Sequence, residues 1–395
     1  MTDTGVKPGR NRLWVIQLCL DMCFLYTCVG DRPFQGGARV TLILSNDDVE
    51  KLLSVRECID VLEKAYLELA DGSGVARTRS DSIVTAKQPD TLYSLKSMDG
   101  VIPGLGVSAV RIDSDLVTYP SEGGKARRVK VPGAPGGRYV GLVLLFSCET
   151  GEPLAIFPDG VMQRIRVGAT NGLGVKYLAR EDSRSVGIIG SGWQAGTQLM
   201  AVCAMRDIEN IRCFSPNKEN RETFSKEMTA ALGVEVIAVN SAEDAIRGAD
   251  IVMCATSSID PIFFDHSIEP GMHLSSIKTF EIDPSAINRA DITVIHNPAR
   301  KMRFLGRNVQ MPEVQGDKKR SAINAIDFKS FPTLPQLIAG ETASRSSPEQ
   351  VTCFLNNIGL GYQFAAAGSV VYAKAKKAGL GHDLPTDWFT EDVHP

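Results

Sequence analysis

Histidine is scarce in this chain, and its placement does not suit metal chemistry. All five histidines lie beyond residue 265 and none falls in an HExxH-type pair, which argues against a helical zinc site. Cysteine offers no substitute. The nine cysteines are odd in number and show no paired spacing, so they do not read as a secreted disulfide framework. Cys19, Cys23 and Cys28 have no histidine or second cysteine pair nearby and read as small apolar residues. No metal is therefore expected. An excess of charge is also missing: 43 Lys and Arg face 46 Asp and Glu, giving a net charge of −3 and a pI of about 6.0. Without a basic stripe, no nucleic-acid partner is expected. A clear membrane-spanning run is lacking too. Residues 13–29 come nearest, after Lys7, Arg10 and Arg12, but they contain Gln17 and Asp21, show no clear cleavage site and are short for a span. Residues 1–39 are read as a poorly ordered extension or an over-long gene start of a cytoplasmic protein with no membrane partner, the compact fold beginning near Val40.

What is present is an ordinary globular composition, 43% apolar and 23% charged, in a chain of 395 residues, which is enough for two domains. Residues 47–69 carry Val49, Leu52, Leu53, Cys58, Leu62, Ala65, Tyr66 and Leu69 near helical spacing, with Ser45 or Asn46 as the cap. Short strands are expected at 82–86, 91–96, 106–112 and 139–147, and the Gly-, Pro- and Lys/Arg-rich stretch 122–137 reads as a solvated loop or a lid. A helix at 159–178 leads into an alternation of strands and helices. Strands at 185–189, 210–214, 235–239, 250–255, 273–277 and 292–296 are separated mostly by helices at 194–206, 218–232, 242–248 and 283–290. That pattern predicts a parallel sheet covered by helices on both faces. Beyond it, a small-residue helix at 357–378 is expected to pack back on the first domain.

One motif heads this alternation. The strand 185–189 runs into Gly190-Ser191-Gly192-Trp193-Gln194-Ala195, a GxGxxA turn that opens a helix. Gly190 permits the tight turn, Gly192 leaves room for a pyrophosphate, and Ala195 lets helix and strand pack closely. The helix start then offers free N–H groups to phosphate. The fold class is thus α/β, with a Rossmann-type doubly wound sheet over 166–319. A smaller α/β domain covers 40–165 and is completed by 320–395. Ala255 and Thr256, at the end of the fourth strand, border the same nucleotide crevice. An NAD site commonly ends its second strand in a carboxylate, which bonds the ribose hydroxyls. Here that position carries Ser215, Asn217 and Lys218, with Arg221 beyond. Those groups favour NADP(H), with NAD(H) the alternative; equally, Lys218 and Arg221 are ordinary exposed helix charges.

Further segments carry a resemblance. They are Arg77-Thr78-Arg79-Ser80, Asp159-Gly160, Arg164-Ile165-Arg166-Val167-Gly168-Ala169, Lys176-Tyr177-Leu178, Gly248-Ala249-Asp250-Ile251-Val252 and Pro270-Gly271-Met272-His273. Together with the glycine turn, the chain resembles the ornithine cyclodeaminase / mu-crystallin family over most of residues 41–300, and the likeness fades beyond about 310. The resemblance implies that the smaller domain is the substrate-binding and dimerisation domain of a homodimer, which acts on a small amino-acid or imino-acid substrate by hydride transfer. It assigns Arg79 and Arg166 to the substrate carboxylate and puts Arg111 where the family usually has lysine. Arginine binds carboxylate well but is a poor proton shuttle; Lys96, one strand earlier, is the candidate amine. Phe280 stands at the approximate position of the cyclodeaminases' catalytic aspartate. Glu281 is the adjacent candidate base, and Lys278 a further acid near the cofactor. Three functions fit. The first is an NAD(P)-dependent imino-acid reductase or amino-acid dehydrogenase. The second is a cyclodeaminase-type lyase that recycles its NAD. The third is a non-catalytic nucleotide- or ligand-binding protein. The substrate's side chain is not legible.

Overall fold

The computed structural model describes residues 39–393 apart from 123–124, 127–128, 259, 279, 300–301, 308 and 310–325. The expected extension lies outside the described residues, save Arg39, as do Cys19, Cys23 and Cys28. Two large sheets organise the rest.

The first sheet has ten strands. Its path runs Met302–Leu305, Ser80–Thr85, Thr91–Ile102, Val107–Thr118, Val140–Ser147, Pro153–Pro158, Val40–Ile43 and His382–Pro385, with Val75–Ala76 and Val129–Val131 pairing alongside. Most pairs are antiparallel, and two central strands are twelve residues long, roughly twice the expected span. Period-two alternation continues through their charged residues. Arg111, Asp113 and Asp115 are as deeply buried as Val107, Ala109 and Val117, so a strand that ends early on hydrophobicity alone continues here. The stretch 122–137, read as a loop, contributes the strand Val129–Val131 against Leu116–Thr118.

The second sheet is wholly parallel, in the order Val236–Ala238, Asn210–Phe214, Ser185–Ile189, Ile251–Cys254, His273–Ser276, Thr352–Leu355, Ile292–Ile295. The six expected strands are all present. A seventh, Thr352–Leu355, was not expected and slots between the last two. Four residues bounded by polar segments give no periodic signal; burial on both faces identifies them as an interior strand.

The single helix expected over 47–69 is two, Asn46–Leu52 and Val55–Asp71. Ser54 breaks it: its hydroxyl accepts from the backbone N–H of Glu57, whose carboxylate accepts from the N–H of Ser54. Ser45 caps the first helix in the same way. The main core fills the space between Val55–Asp71, Gly160–Leu178, Gly361–Ala378 and the inner face of the ten-stranded sheet. The late helix starts at Gly361 rather than 357. It crosses the strand Thr91–Ile102 so tightly that a Cβ on Gly361 would lie 2.4 Å from Asp99 backbone, and one on Gly100 would lie 2.5 Å from Tyr362 backbone. This close crossing fixes where the first turn of the helix sits. No helix among the described residues is long and apolar enough to cross a membrane.

Candidate active site

The carboxyl edge of the parallel sheet is built around the glycine turn. Gly190 has φ +124°, and its N–H donates to the Phe214 carbonyl at 2.8 Å. A Cβ there would meet the Ala255 carbonyl oxygen at 2.2 Å, so only glycine fits between the two strand ends. At Gly192, the N-cap of Trp193–Met205, an added Cβ meets nothing within 4 Å. The helix start is therefore open, as a phosphate site requires. Ala195 is fully buried behind it. Trp193 is mostly exposed at the rim, stacked on the Arg164 guanidinium at 5.3 Å, and Gln194 has a buried Oε1 without a hydrogen-bond partner among the described residues. The residues fit a dinucleotide.

At the end of the second strand, the Ser191 and Ser215 hydroxyls meet at 2.8 Å and Asn217 caps the next helix. Lys218 is exposed, 3.7 Å from Glu222. Arg221 is buried instead, donating to the Ser215 carbonyl at 3.1 Å and to Asn240 at 2.8 Å. It braces the turn. Beyond the fourth strand, Thr256 donates through its N–H and hydroxyl to one oxygen of Glu281, at 2.6 and 2.8 Å. The other oxygen of Glu281 is buried and unpartnered among the described residues. Burial pushes the Glu281 carboxyl up, outweighing those bonds and the pull of Lys278. Burial likewise lowers the Lys278 amine, which donates to the Thr256 carbonyl and lies over the Phe280 ring.

The second half of the site lies on the inner face of the ten-stranded sheet. Register aligns Asp81 with Lys96 and Lys96 with Asp113, and the next pleat puts Met98 opposite Arg111. A lattice of alternating charges results. Arg79 forks onto Asp81 with both bonds at 2.6 Å. Lys96 pairs with Asp115 and Asp113, the latter at 3.3 Å. Lys130, from the short strand, reaches Asp115 at 2.9 Å. Burial raises the Asp113 carboxyl, but Arg111, Lys130 and Lys96 together outweigh it and hold it below its ordinary range. Arg111 bonds Asp159 through Nε at 2.7 Å and through Nη2, and bonds Gln163 at 2.6 Å.

Arg166 differs from the rest. It lies in the helix Gly160–Leu178, 5% exposed, and no carboxylate among the described residues pairs with it. Its Nη1 donates to the amide oxygen of Gln363 at 2.9 Å, and its Nε has no partner among the described residues. The Phe364 ring lies against both the Arg111 and Arg166 guanidiniums, at 5.5 and 5.1 Å. Burial, with Arg111 nearby, pushes Arg166 down to about 10, still charged at neutral pH.

The structure thus brings together Lys96, Arg111 and Arg166, gives Arg79 its own acid, and groups the nucleotide residues, Lys278 and Glu281 on the other edge. Asp113, Asp115 and Gln163 escaped the sequence reading, although Arg111-x-Asp113-x-Asp115 carries the strand period, and Asp159 entered it only within the Asp159-Gly160 likeness, with no role. Gln363 and Phe364 carry no local signal at all.

Fold and site define an α/β protein with a Rossmann-type parallel sheet and a buried cluster of Lys and Arg side chains around the ten-stranded sheet. A profile of the ornithine cyclodeaminase/mu-crystallin family matches residues 39–379, well past the segments that carry the likeness in the sequence, and the chain belongs to that family. It is 28% identical to a Delta(1)-pyrroline-2-carboxylate reductase of Bacillus cereus, over 87% of this chain and 99% of the other. It is 27% identical to an alanine dehydrogenase of Archaeoglobus fulgidus, over 87% and 98%. Among solved structures it resembles the Delta(1)-pyrroline-2-carboxylate reductase of Thermococcus litoralis in complex with NADH and L-proline, with TM-score 0.70, 27% identity and coverage of 87% and 100%.

Proposed function

We propose that this chain is an NAD(P)H-dependent reductase of a small imino acid, working in reverse as an amino-acid dehydrogenase. The observation that carries the proposal is Arg166: a buried guanidinium whose charge no described carboxylate cancels. Burying such a charge alone is costly, and a substrate carboxylate relieves that cost. The neighbouring cations are already matched by acids, so Arg166 takes the carboxylate, with Arg111, held by Asp159 and on the same Phe364 ring, beside it and Arg79, held by Asp81, as a further carboxylate-binding arginine. When bound, the reduced nicotinamide supplies the hydride. The imine nitrogen needs one proton, and Lys96, paired with Asp113 and Asp115, is the candidate to supply it. The lyase alternative needs a free carboxylate base. Glu281 suits it poorly, because one oxygen is bonded by Thr256 and burial favours its protonated form.

The cofactor of the Thermococcus relative is NADH. This chain presents Ser215, Asn217 and Lys218 where a ribose-binding carboxylate is expected, so we infer that it uses NADPH in preference and accepts NADH. The test is absorbance at the NAD(P)H band with pyrroline-2-carboxylate and open-chain imino acids. Turnover faster with NADPH is the expected result. Tight nucleotide binding with no oxidation of either cofactor would sink the reductase reading and point to ammonia release or a binding role.

A homodimer in the cytoplasm belongs to the same reading. On the outer face of the ten-stranded sheet, Phe304, Ser82, Leu95, Ser114 and Val140 align across five strands, and Phe304, Leu95, Val140 and the adjacent Leu142 are 38–56% exposed. A strip of this kind suits a second copy of the sheet. Leu142→Glu is expected to halve the mass measured by sedimentation; an unchanged mass places the contact elsewhere.

A further inference from the structure

The guanidinium of Arg166 is enclosed by three residues that lie late in the chain. Gln363 accepts from Nη1, Phe364 packs against it, and a Cβ on Gly359 would lie 2.5 Å from Nη1. Gln363 is fully buried and bonded at both ends of its amide. Its oxygen also accepts from the Leu360 N–H at 3.0 Å, and its nitrogen donates to the Thr170 hydroxyl at 2.5 Å. Thr170 in turn donates to the Arg166 carbonyl at 2.8 Å. The bonds form a closed ring through Arg166, Gln363 and Thr170.

The loop before the helix is anchored as well. Asn356 donates to Asn171 at 2.7 Å, and the Ile358 carbonyl meets His296 Nδ1 at 2.5 Å. A carbonyl only accepts, so His296 carries its proton on Nδ1, and its Nε2 accepts from the Tyr66 hydroxyl at 2.8 Å. Burial holds His296 down to about 4, so this brace stays neutral at physiological pH.

We propose that Gln363 is the positioning residue of the carboxylate site: it fixes the direction of the Arg166 guanidinium while leaving its positive charge uncancelled. The role rests on the reading of Arg166 given above. An amide is the side chain that does both. A carboxylate of the same shape would bind Arg166 more strongly, but it would neutralise the charge the substrate needs. An apolar residue would preserve the charge but release the guanidinium and leave the Thr170 hydroxyl and the Leu360 N–H without their partner.

Three substitutions separate these effects: Gln363→Glu, Gln363→Met and Gly359→Ala. With pyrroline-2-carboxylate as substrate, Gln363→Glu is expected to raise KM by roughly a hundredfold and to lower kcat far less. Gln363→Met and Gly359→Ala are expected to raise KM by about tenfold, with nucleotide Kd unchanged in all three. Equal losses in KM, kcat and nucleotide affinity, or a Gln363→Glu variant with wild-type KM, would overturn the role. Crystal structures of wild type and Gln363→Met test the role independently of turnover. A guanidinium displaced from Phe364 supports positioning, and one unmoved refutes it. If the wild type turns over no imino acid, the functional reading fails, and the crystal comparison alone decides the role of Gln363.

Discussion

The inner face of the ten-stranded sheet and the carboxyl edge of the parallel sheet present charge by opposite means. On the first, side chains carry it. Arg79, Lys96, Lys130 and Arg111 are each held by an aspartate, whereas Arg166, on the helix Gly160–Leu178, meets an amide and no carboxylate among the described residues. On the second, the backbone is what stands open: a glycine turn and a helix start, while Arg221 is turned to Ser215 and Asn240. Fixed side-chain charges in a buried site select one small anion in one orientation. Free N–H groups at a helix end accept any diphosphate and leave discrimination to the ribose end. The division of labour suits an enzyme that binds one small substrate and one large cofactor.

The contrast makes its sharpest prediction at Arg166. Arg166→Ala should lower kcat/KM by roughly a hundredfold to a thousandfold while nucleotide affinity, followed by fluorescence titration, stays within about twofold. Equal losses of both would mean that the two regions do not act separately. Gly190→Val should give the reverse pattern. The new side chain meets the Ala255 carbonyl and takes an unfavourable positive φ. Nucleotide Kd should rise by at least about tenfold and the melting temperature should fall, the backbone strain alone costing about 1–3 kcal/mol. Retained nucleotide affinity would show that the turn tolerates a Cβ and that the close approach is not needed.

A smaller effect tests the brace beneath the arginine. His296 titrates at about 4 in the fold against an ordinary 6.5. The unfolded chain therefore takes up the proton first on acidification. Its stabilising contribution is complete above about pH 6.5 and is lost as pH falls toward 4, at up to about 1.4 kcal/mol per pH unit. Denaturant titrations of His296→Asn should show a shallower loss across that window than wild type. Parallel curves would assign the acid sensitivity to another group, with His273, held down to about 3 mainly by burial, next in line. The least change is expected at Lys218→Ala, where a several-fold fall in NADPH-over-NADH preference would confirm an exposed cation at the 2′-phosphate. No change would leave that choice to Ser215 and Asn217.

Much of the nucleotide half was legible because its signals are local. A strand, a glycine turn and a helix follow one another within 25 residues, and all six expected strands recur in the parallel sheet. The strand Thr352–Leu355 escaped because four buried residues have no period to read, and its place between two earlier strands depends on packing alone. The substrate half was legible only in its residue types. Arg79, Lys96, Arg111 and Arg166 stood out through the resemblance, but their pairing with acids did not, because cross-strand register decides which strand aspartate meets which cation. Gln363 lies 197 positions from Arg166 in an alanine-rich helix.

By itself, then, the sequence determined the α/β class, the dinucleotide turn, the lack of a ribose carboxylate and the stock of cations. These follow from periodicity, from glycine's backbone freedom and from composition, all of which act over a few residues. The tertiary structure alone decided which cation stays uncancelled. That outcome depends on strand register and on the tight crossing of Gly361 over Asp99 and Gly100, which carries Gln363 and Phe364 to Arg166. Charge cancellation depends on distance in space, and the sequence pattern does not contain that distance.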